Sequence, residues 1–410
     1  MSIAKNSFIN MAGYLVPGIL SIPVLGYMAR AMGGDLFGLF TLILSIVGYA
    51  SIFDVGISRS VIREVAIYRH DNEEVLKILS TSTVVMLFLG LFAGILIVTF
   101  NSYIVEFLNV SPYVSNDFYL SLIVMSISIP FFLLVQVYCS LLEGYLEFLK
   151  LSIFKTISSS LIVVMPAIML LWNISLFNAV IGLLIARIFS FFLIIFYCKE
   201  YITKKSLKFY KLIFFRLIKF GGWVAVSNII SPVISYFDRF ILSNKMGANV
   251  VGFYTAPSEA ISRLSILPVA VAKTIFPMLS RGDVDKKNTK KISYFLICIS
   301  SVPLGLIFIY FGREIITLWL GQDYAEKSTL VFQILMLGFI FNAIAQIPFT
   351  SIQAKGKAKV TSLIQVVECV PYIFLLLYLI NLYGLVGVAI AWTTRVFIDL
   401  LLLIFFDRFE

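Results

Sequence analysis

Histidine is nearly missing from this chain, and the one imidazole, His70, excludes a metal site or proton relay built from several. Charge is scarce as well. Only 13% of the 410 residues are Asp, Glu, Lys or Arg, about half the roughly 25% of an ordinary soluble domain. The four cysteines, Cys139, Cys198, Cys298 and Cys369, lie far apart in or beside apolar runs, so no disulfide scaffold is encoded. A Gly-rich loop followed by Lys-Ser/Thr does not occur, which argues against direct coupling to ATP. What fills the chain is hydrocarbon. Apolar residues make up 60% and the mean hydropathy is +1.00, against roughly 45–50% apolar in soluble domains. A water-soluble globule is excluded.

One membrane crossing needs roughly 20 apolar residues, so this composition supplies about a dozen. Apolar runs at about 8–29, 37–58, 79–100, 118–142, 152–172, 177–198, 219–242, 255–279, 292–312, 329–352, 360–380 and 384–406 predict twelve helices. Backbone groups in lipid must be satisfied internally, which favours helices, and the runs lack the alternation of a membrane barrel. Met28-Ala29-Arg30 is no small-residue cleavage site, so the first run is expected to stay as helix 1. The predicted class is all-α and polytopic.

The basic residues set the orientation. With both termini cytoplasmic, the connections on that side carry 23 of the 32 Lys and Arg, from Lys5 to Arg408. The opposite connections carry four, Arg30, Lys245, Arg313 and Lys327. This asymmetry is the positive-inside pattern. The net charge of +10 therefore needs no nucleic-acid partner. The basic stretch at 199–219 reads as a solvated connector, with attraction to lipid head groups as the other reading.

The chain also repeats itself. Met32, Gly33, Gly38 and Thr41 recur as Met246, Gly247, Gly252 and Thr255, all at an offset of 214, and Arg59 maps onto Lys273. Each copy joins the first two helices of a six-helix half, where glycine permits a tight turn and positive φ. The expected organisation is an N-terminal lobe at 1–198, a basic cytoplasmic linker at 199–218 and a C-terminal lobe at 219–410. Parallel repeats with a substrate path between two lobes are a transporter pattern.

Ionisable groups inside spans cost at least roughly 2.5–3.5 kcal/mol each at the bilayer centre, so they mark function by default. Arg30, Arg59, Arg187, Arg239, Arg263, Lys273 and Arg395 are the candidate cations of a substrate chamber suited to phosphate. Asp54, Asp238, Glu259, Glu368 and Asp399 are the candidates for ion coupling. Plainer readings stand beside these. Glu259/Arg263 and Arg395/Asp399 are spaced to pair on one helix face. Arg30, Arg59, Arg63, Arg239 and Lys273 lie near span ends and can snorkel, and Asp54 can bond a neighbouring helix. Prolines inside the runs, Pro17 and Pro23 in helix 1 and Pro232 in helix 7 among them, predict bends that either gate the path or simply pack.

The stretches Asp238-Arg239-Phe240-Ile241-Leu242, Met246-Gly247, Val251 to Pro257 and Ile275-Phe276-Pro277, with Leu36 to Phe40 and Phe53 to Ser58, carry a family likeness. The chain resembles the polysaccharide flippases of the multidrug/oligosaccharidyl-lipid/polysaccharide exporter superfamily. Length and span count are closer to O-antigen (Wzx-type) flippases than to the fourteen-span lipid II flippases. The resemblance implies a two-lobed, MATE-like carrier in the bacterial inner membrane. Its cargo would be an undecaprenyl-diphosphate-linked repeat unit, moved to the periplasmic leaflet with a proton or sodium gradient and no cofactor. Membrane lipid and the polysaccharide polymerase machinery would be its partners. Two other classes compete. A membrane polymerase would show a long extracytoplasmic loop, yet the connections at about 101–117 and 313–328 are short; an acyltransferase would have only His70. A drug antiporter would favour an acidic chamber over an arginine-lined one.

Overall fold

An α-helix rises 1.5 Å per residue, so a 48-residue helix is about 72 Å long, more than twice the roughly 30 Å of a bilayer's hydrocarbon. The first helix, α1 (Ile3–Ala50), has that length but is broken at Gly33, where φ is 69° and ψ 175°. The last, α13 (Ala358–Phe409), is broken at Gly384, where φ is 55° and ψ −128°. The computed structural model describes the backbone of residues 3–201, 207–272 and 286–409. It describes side chains over 16–201, 207–222, 232–272, 290–357 and 359–408. Among these residues the chain is helical, with no strand.

A 3-10 turn, η1 (Ser51–Asp54), leads from α1 into α2 (Ile57–Tyr68). Then come α3 (Asn72–Thr99), the short α4 (Asn101–Phe107), α5 (Pro112–Gly144), α6 (Phe148–Leu170) and α7 (Leu176–Cys198). Past the basic connector lie α8 (Lys211–Met246), a second 3-10 turn (Ala248–Val250) and α9 (Val251–Leu264). The chain continues with α10 (Lys286–Tyr310), α11 (Gly312–Leu320), α12 (Gln322–Ala354) and α13. Eight helical stretches among the described residues are long and apolar enough to cross a membrane. Those containing the Gly33 and Gly384 breaks run to 39 and 50 residues.

Two compact units divide the chain: Met1–Val24 with Leu39–Phe240, and Leu25–Gly38 with Ile241–Glu410. In the first, α5 packs on α2, α3 and α7, and α6 on α7. Its apolar core includes Val61, Ile78, Met86, Leu133, Val137, Ile194 and Leu217. In the second, α12 packs on α9, α10, α11 and α13. The same order of lengths appears twice. Helices of 28, 7 and 33 residues (α3 to α5) are echoed by 25, 9 and 33 (α10 to α12).

The sequence repeat has a backbone counterpart. Gly33 and Gly247 both adopt positive φ with extended ψ, at 69°/175° and 93°/151°, a region open essentially to glycine alone. The two turns also touch reciprocally within the second unit. A side chain on Gly38 would meet the Ala248 carbonyl oxygen at 3.0 Å and the Gly252 nitrogen at 2.6 Å. One on Gly252 would meet the Gly34 carbonyl oxygen at 2.2 Å. Residues 34 and 38 thus meet 248 and 252 in an isologous contact, as a two-fold axis demands.

Candidate functional site

The helix that begins in α1 fails at Val55 and Gly56, both left-handed at φ 47° and 74°. Gly56 is held there by contact: a Cβ on it would lie 2.1 Å from the Gly221 carbonyl oxygen of α8. The restart at Ile57 leaves N–H groups without partners. Asp54 meets them, since its Oδ1 accepts from the Ser58 N–H at 3.0 Å and the Ser58 hydroxyl at 2.7 Å. The buried carboxylate therefore caps α2 from its own segment. Ser60 ties the same turn to α8 by donating to the Leu217 carbonyl at 2.7 Å.

This break forms one wall of a cavity of about 450 Å³ inside the first unit, within the roughly 300–1,000 Å³ of small-molecule sites. Ser51, Asp54, Ser58, Arg59 and Ile62 line that wall. The opposite wall is α5, through Phe132, Leu133, Gln136, Cys139, Ser140 and Glu143. Steps of three and four place these residues on one helix face. Lys155 of α6 and Pro232 of α8 complete the lining. The Ser140 hydroxyl is spent on its own helix, donating to the Gln136 carbonyl at 2.8 Å. Two carboxylates, Asp54 and Glu143, and two cations, Arg59 and Lys155, leave no formal net charge.

Arg187 stands behind that wall. It is 8% exposed in α7, and its guanidinium carbon lies 4.9 Å from the centre of the Phe132 ring. Its Nε and one terminal nitrogen have no hydrogen-bond partner among the described residues. The ring face partly replaces hydration for this cation. Asp238 and Arg239 are also buried in the first unit. The Asp238 carboxylate accepts from the Arg239 N–H at 2.8 Å, and the guanidinium reaches Ser45 Oγ at 3.4 Å and lies over Tyr236.

The remaining candidates lie in the second unit. Arg30 donates to the backbone carbonyls of Thr317 and Leu318 at the end of α11. Arg263 pairs with Glu259 at 3.3 Å, the i,i+4 arrangement expected from spacing. Glu368, Arg395 and Asp399 lie near one another because the Gly384 break folds α13 back on itself, and the Arg395 guanidinium carbon lies 5.4 Å from the centre of the Tyr372 ring. Lys273 lies outside the described residues. No group of three or more potential metal ligands occurs among the described residues.

Sequence reading missed several participants. Glu143 falls just past the predicted end of its span, Lys155 lies near the start of the predicted span at 152–172, and Gln136 is neutral; the 132–136–139–143 spacing is the available signal. Glu64 was also missed. It is 2% exposed and bound by Arg63 and Arg216, each at 2.7 Å. Arg216 reaches Glu74 at 2.9 Å as well. The connector is thus docked over its described part, with Tyr210 N–H donating to Thr81 at 3.2 Å.

Known proteins share this chain's sequence and fold. The family model for polysaccharide biosynthesis proteins matches residues 3–283. A Shigella flexneri protein named "Putative O-antigen transporter" is 44% identical over 408 residues, covering 98% of this chain and 97% of that one. Among solved structures, the lipid II flippase MurJ in an inward closed conformation superposes with TM-score 0.80 at 19% identity, covering 99% of this chain and 87% of MurJ. An inward-facing multidrug resistance MATE transporter of the MOP superfamily gives 0.72 at 13%, covering 100% and 94%.

Proposed function

The chain belongs to the polysaccharide biosynthesis protein family, and from that premise we propose that it flips a lipid-linked polysaccharide repeat unit across the bacterial inner membrane. The cargo is an undecaprenyl-diphosphate-linked O-antigen unit or a related glycan, carried from the cytoplasmic to the periplasmic leaflet. The chain acts as a carrier rather than an enzyme. The observation that supports this most is a cavity with four ionisable side chains inside a bundle of membrane-length helices. Ionisable groups within spans face a water-filled cavity or pair with one another, and mark substrate or ion paths. The 44% identity to an O-antigen transporter homologue extends over nearly the whole chain.

Counting α1 and α13 as two crossings each gives six crossings before the connector, with α3, α5, α6 and α7. Six follow it, with α8, the segment from α9 onward, α10 and α12. This supports lobes at 1–198 and 219–410 joined by 199–218, boundaries that follow the repeat rather than the compact units. Both termini lie in the cytoplasm. The lobes open alternately, driven by a proton or sodium gradient, with Asp54, Asp238, Glu259, Glu368 and Asp399 as coupling groups. Arg30, Arg59, Arg187, Arg239, Arg263, Lys273 and Arg395 attract the diphosphate along the path. Handover to the polymerase machinery follows in the periplasm.

The test is a strain lacking its own flippase for this lipid. Precursor is expected to accumulate in the cytoplasmic leaflet and to clear when the chain is expressed. Unchanged accumulation, with the protein inserted in the membrane, overturns the proposal.

A further inference from the structure

We infer that the cavity of the first unit is a sugar subsite, holding a pyranose ring of the cargo against Phe132 with its hydroxyls on Gln136 and Glu143. The inference rests on the flippase reading and narrows it: this cavity, with Arg59 and Arg187, takes the glycan, and the diphosphate falls to the other cations of the path. The charges point that way. Asp54 and Glu143 balance Arg59 and Lys155, whereas a diphosphate would need surplus positive charge to offset its own.

The lining has what a pyranose requires. Its hydroxyls both donate and accept, so it suits carboxylate, amide and cationic groups set side by side. Its C–H face suits an aromatic ring. Gln136 and Glu143 line the cavity on one face of α5, seven residues apart, and neither side chain has a hydrogen-bond or ion-pair partner among the described residues. Asp54, by contrast, is already engaged with Ser58. Phe132 sits one turn from Gln136 with Arg187 over one of its faces, which fixes the ring as a floor and leaves it lining the cavity.

Purified protein in nanodiscs is titrated with undecaprenyl diphosphate bearing its repeat unit, and separately with the sugar-free lipid diphosphate. Wild type is expected to prefer the glycosylated lipid. Gln136→Ala, Glu143→Gln and Phe132→Leu are each expected to cut that preference about tenfold, the effect of one lost hydrogen bond to a desolvated group or one lost stacking face. Sugar-free binding stays unchanged, and Phe132→Tyr restores the preference. Equal weakening of both lipids by these variants overturns the sugar subsite, as does a wild type that binds both lipids equally. A wild type that binds neither lipid overturns the flippase reading instead. Unchanged elution and melting of each variant separate these outcomes from misfolding.

Discussion

Asp54 caps α2 and lines the cavity at once, so its oxygen and its charge can be tested apart. Asp54→Asn keeps an acceptor for the Ser58 N–H, whereas Asp54→Ala removes it and is expected to cost about 1 kcal/mol, read as thermal unfolding in detergent. If the charge itself serves transport, Asn melts like wild type and still fails to move cargo. Arg187 gives the opposite contrast. A buried cation without an acidic partner burdens the fold, so Arg187→Met is expected to hold or raise the melting temperature while translocation falls, because Phe132 loses the group that seats it. A large drop in melting temperature would assign Arg187 to the fold instead. Both residues stand out in sequence because a charge inside an apolar run is expensive. Glu143 and Lys155 do not, since Glu143 closes α5 and Lys155 stands near the start of its apolar run, where a charge costs little, and Gln136 carries no charge to notice.

At the scale of elements, contacts rather than composition decide. The basic stretch around 199–219 looks solvated in sequence, and Lys199, Lys208, Lys211 and Lys219 are exposed, while α8 begins at Lys211 and Arg216 binds two carboxylates. Nothing local announces that, because Glu64 and Glu74 lie some 140 residues earlier and their pairing depends on tertiary folding. Removing Arg216 leaves Glu64, 2% exposed, with Arg63 alone. Arg216→Ala is therefore expected to destabilise more than Glu64→Gln, which leaves two partly exposed cations that water can reach. The difference is about 1–2 kcal/mol on chemical or thermal unfolding, and the reverse order would refute a supporting role for this network. The repeat glycines make a second contrast. Gly252→Ala drives a methyl to 2.2 Å from the Gly34 carbonyl oxygen, and backbone must shift, a cost of about 1–3 kcal/mol. Gly222→Ala meets nothing within 4 Å among the described residues and is expected to be neutral or to gain up to about 1 kcal/mol, since alanine is the better helix former. Helix class and the Gly33/Gly247 turns were legible in sequence because lipid and positive φ each admit few solutions.

For the molecule as a whole, the distribution of basic residues is the ground for the proposed orientation. Inverting it would place 23 cationic loop residues outside and leave four inside, against the bias that directs insertion. The native cysteines are buried or half-buried, so single cysteines at exposed connections report sidedness once the native four are replaced. His70, Lys357, Tyr113 and Asn173 are all exposed, and Tyr113 is 95% exposed. An impermeant maleimide given to cells with an opened outer membrane is expected to label Tyr113→Cys and Asn173→Cys at once. His70→Cys and Lys357→Cys are expected to react only after the inner membrane is broken. These four positions span both halves, so the pattern tests more than the ends. Labelling of Asn173→Cys and Lys357→Cys from the same side would mean that an even number of crossings separates them, where the parallel arrangement has five. The isologous contact of Gly38 with Gly252 would then need a two-fold axis in the membrane plane, and alternating opening of two equivalent lobes would lose its structural basis.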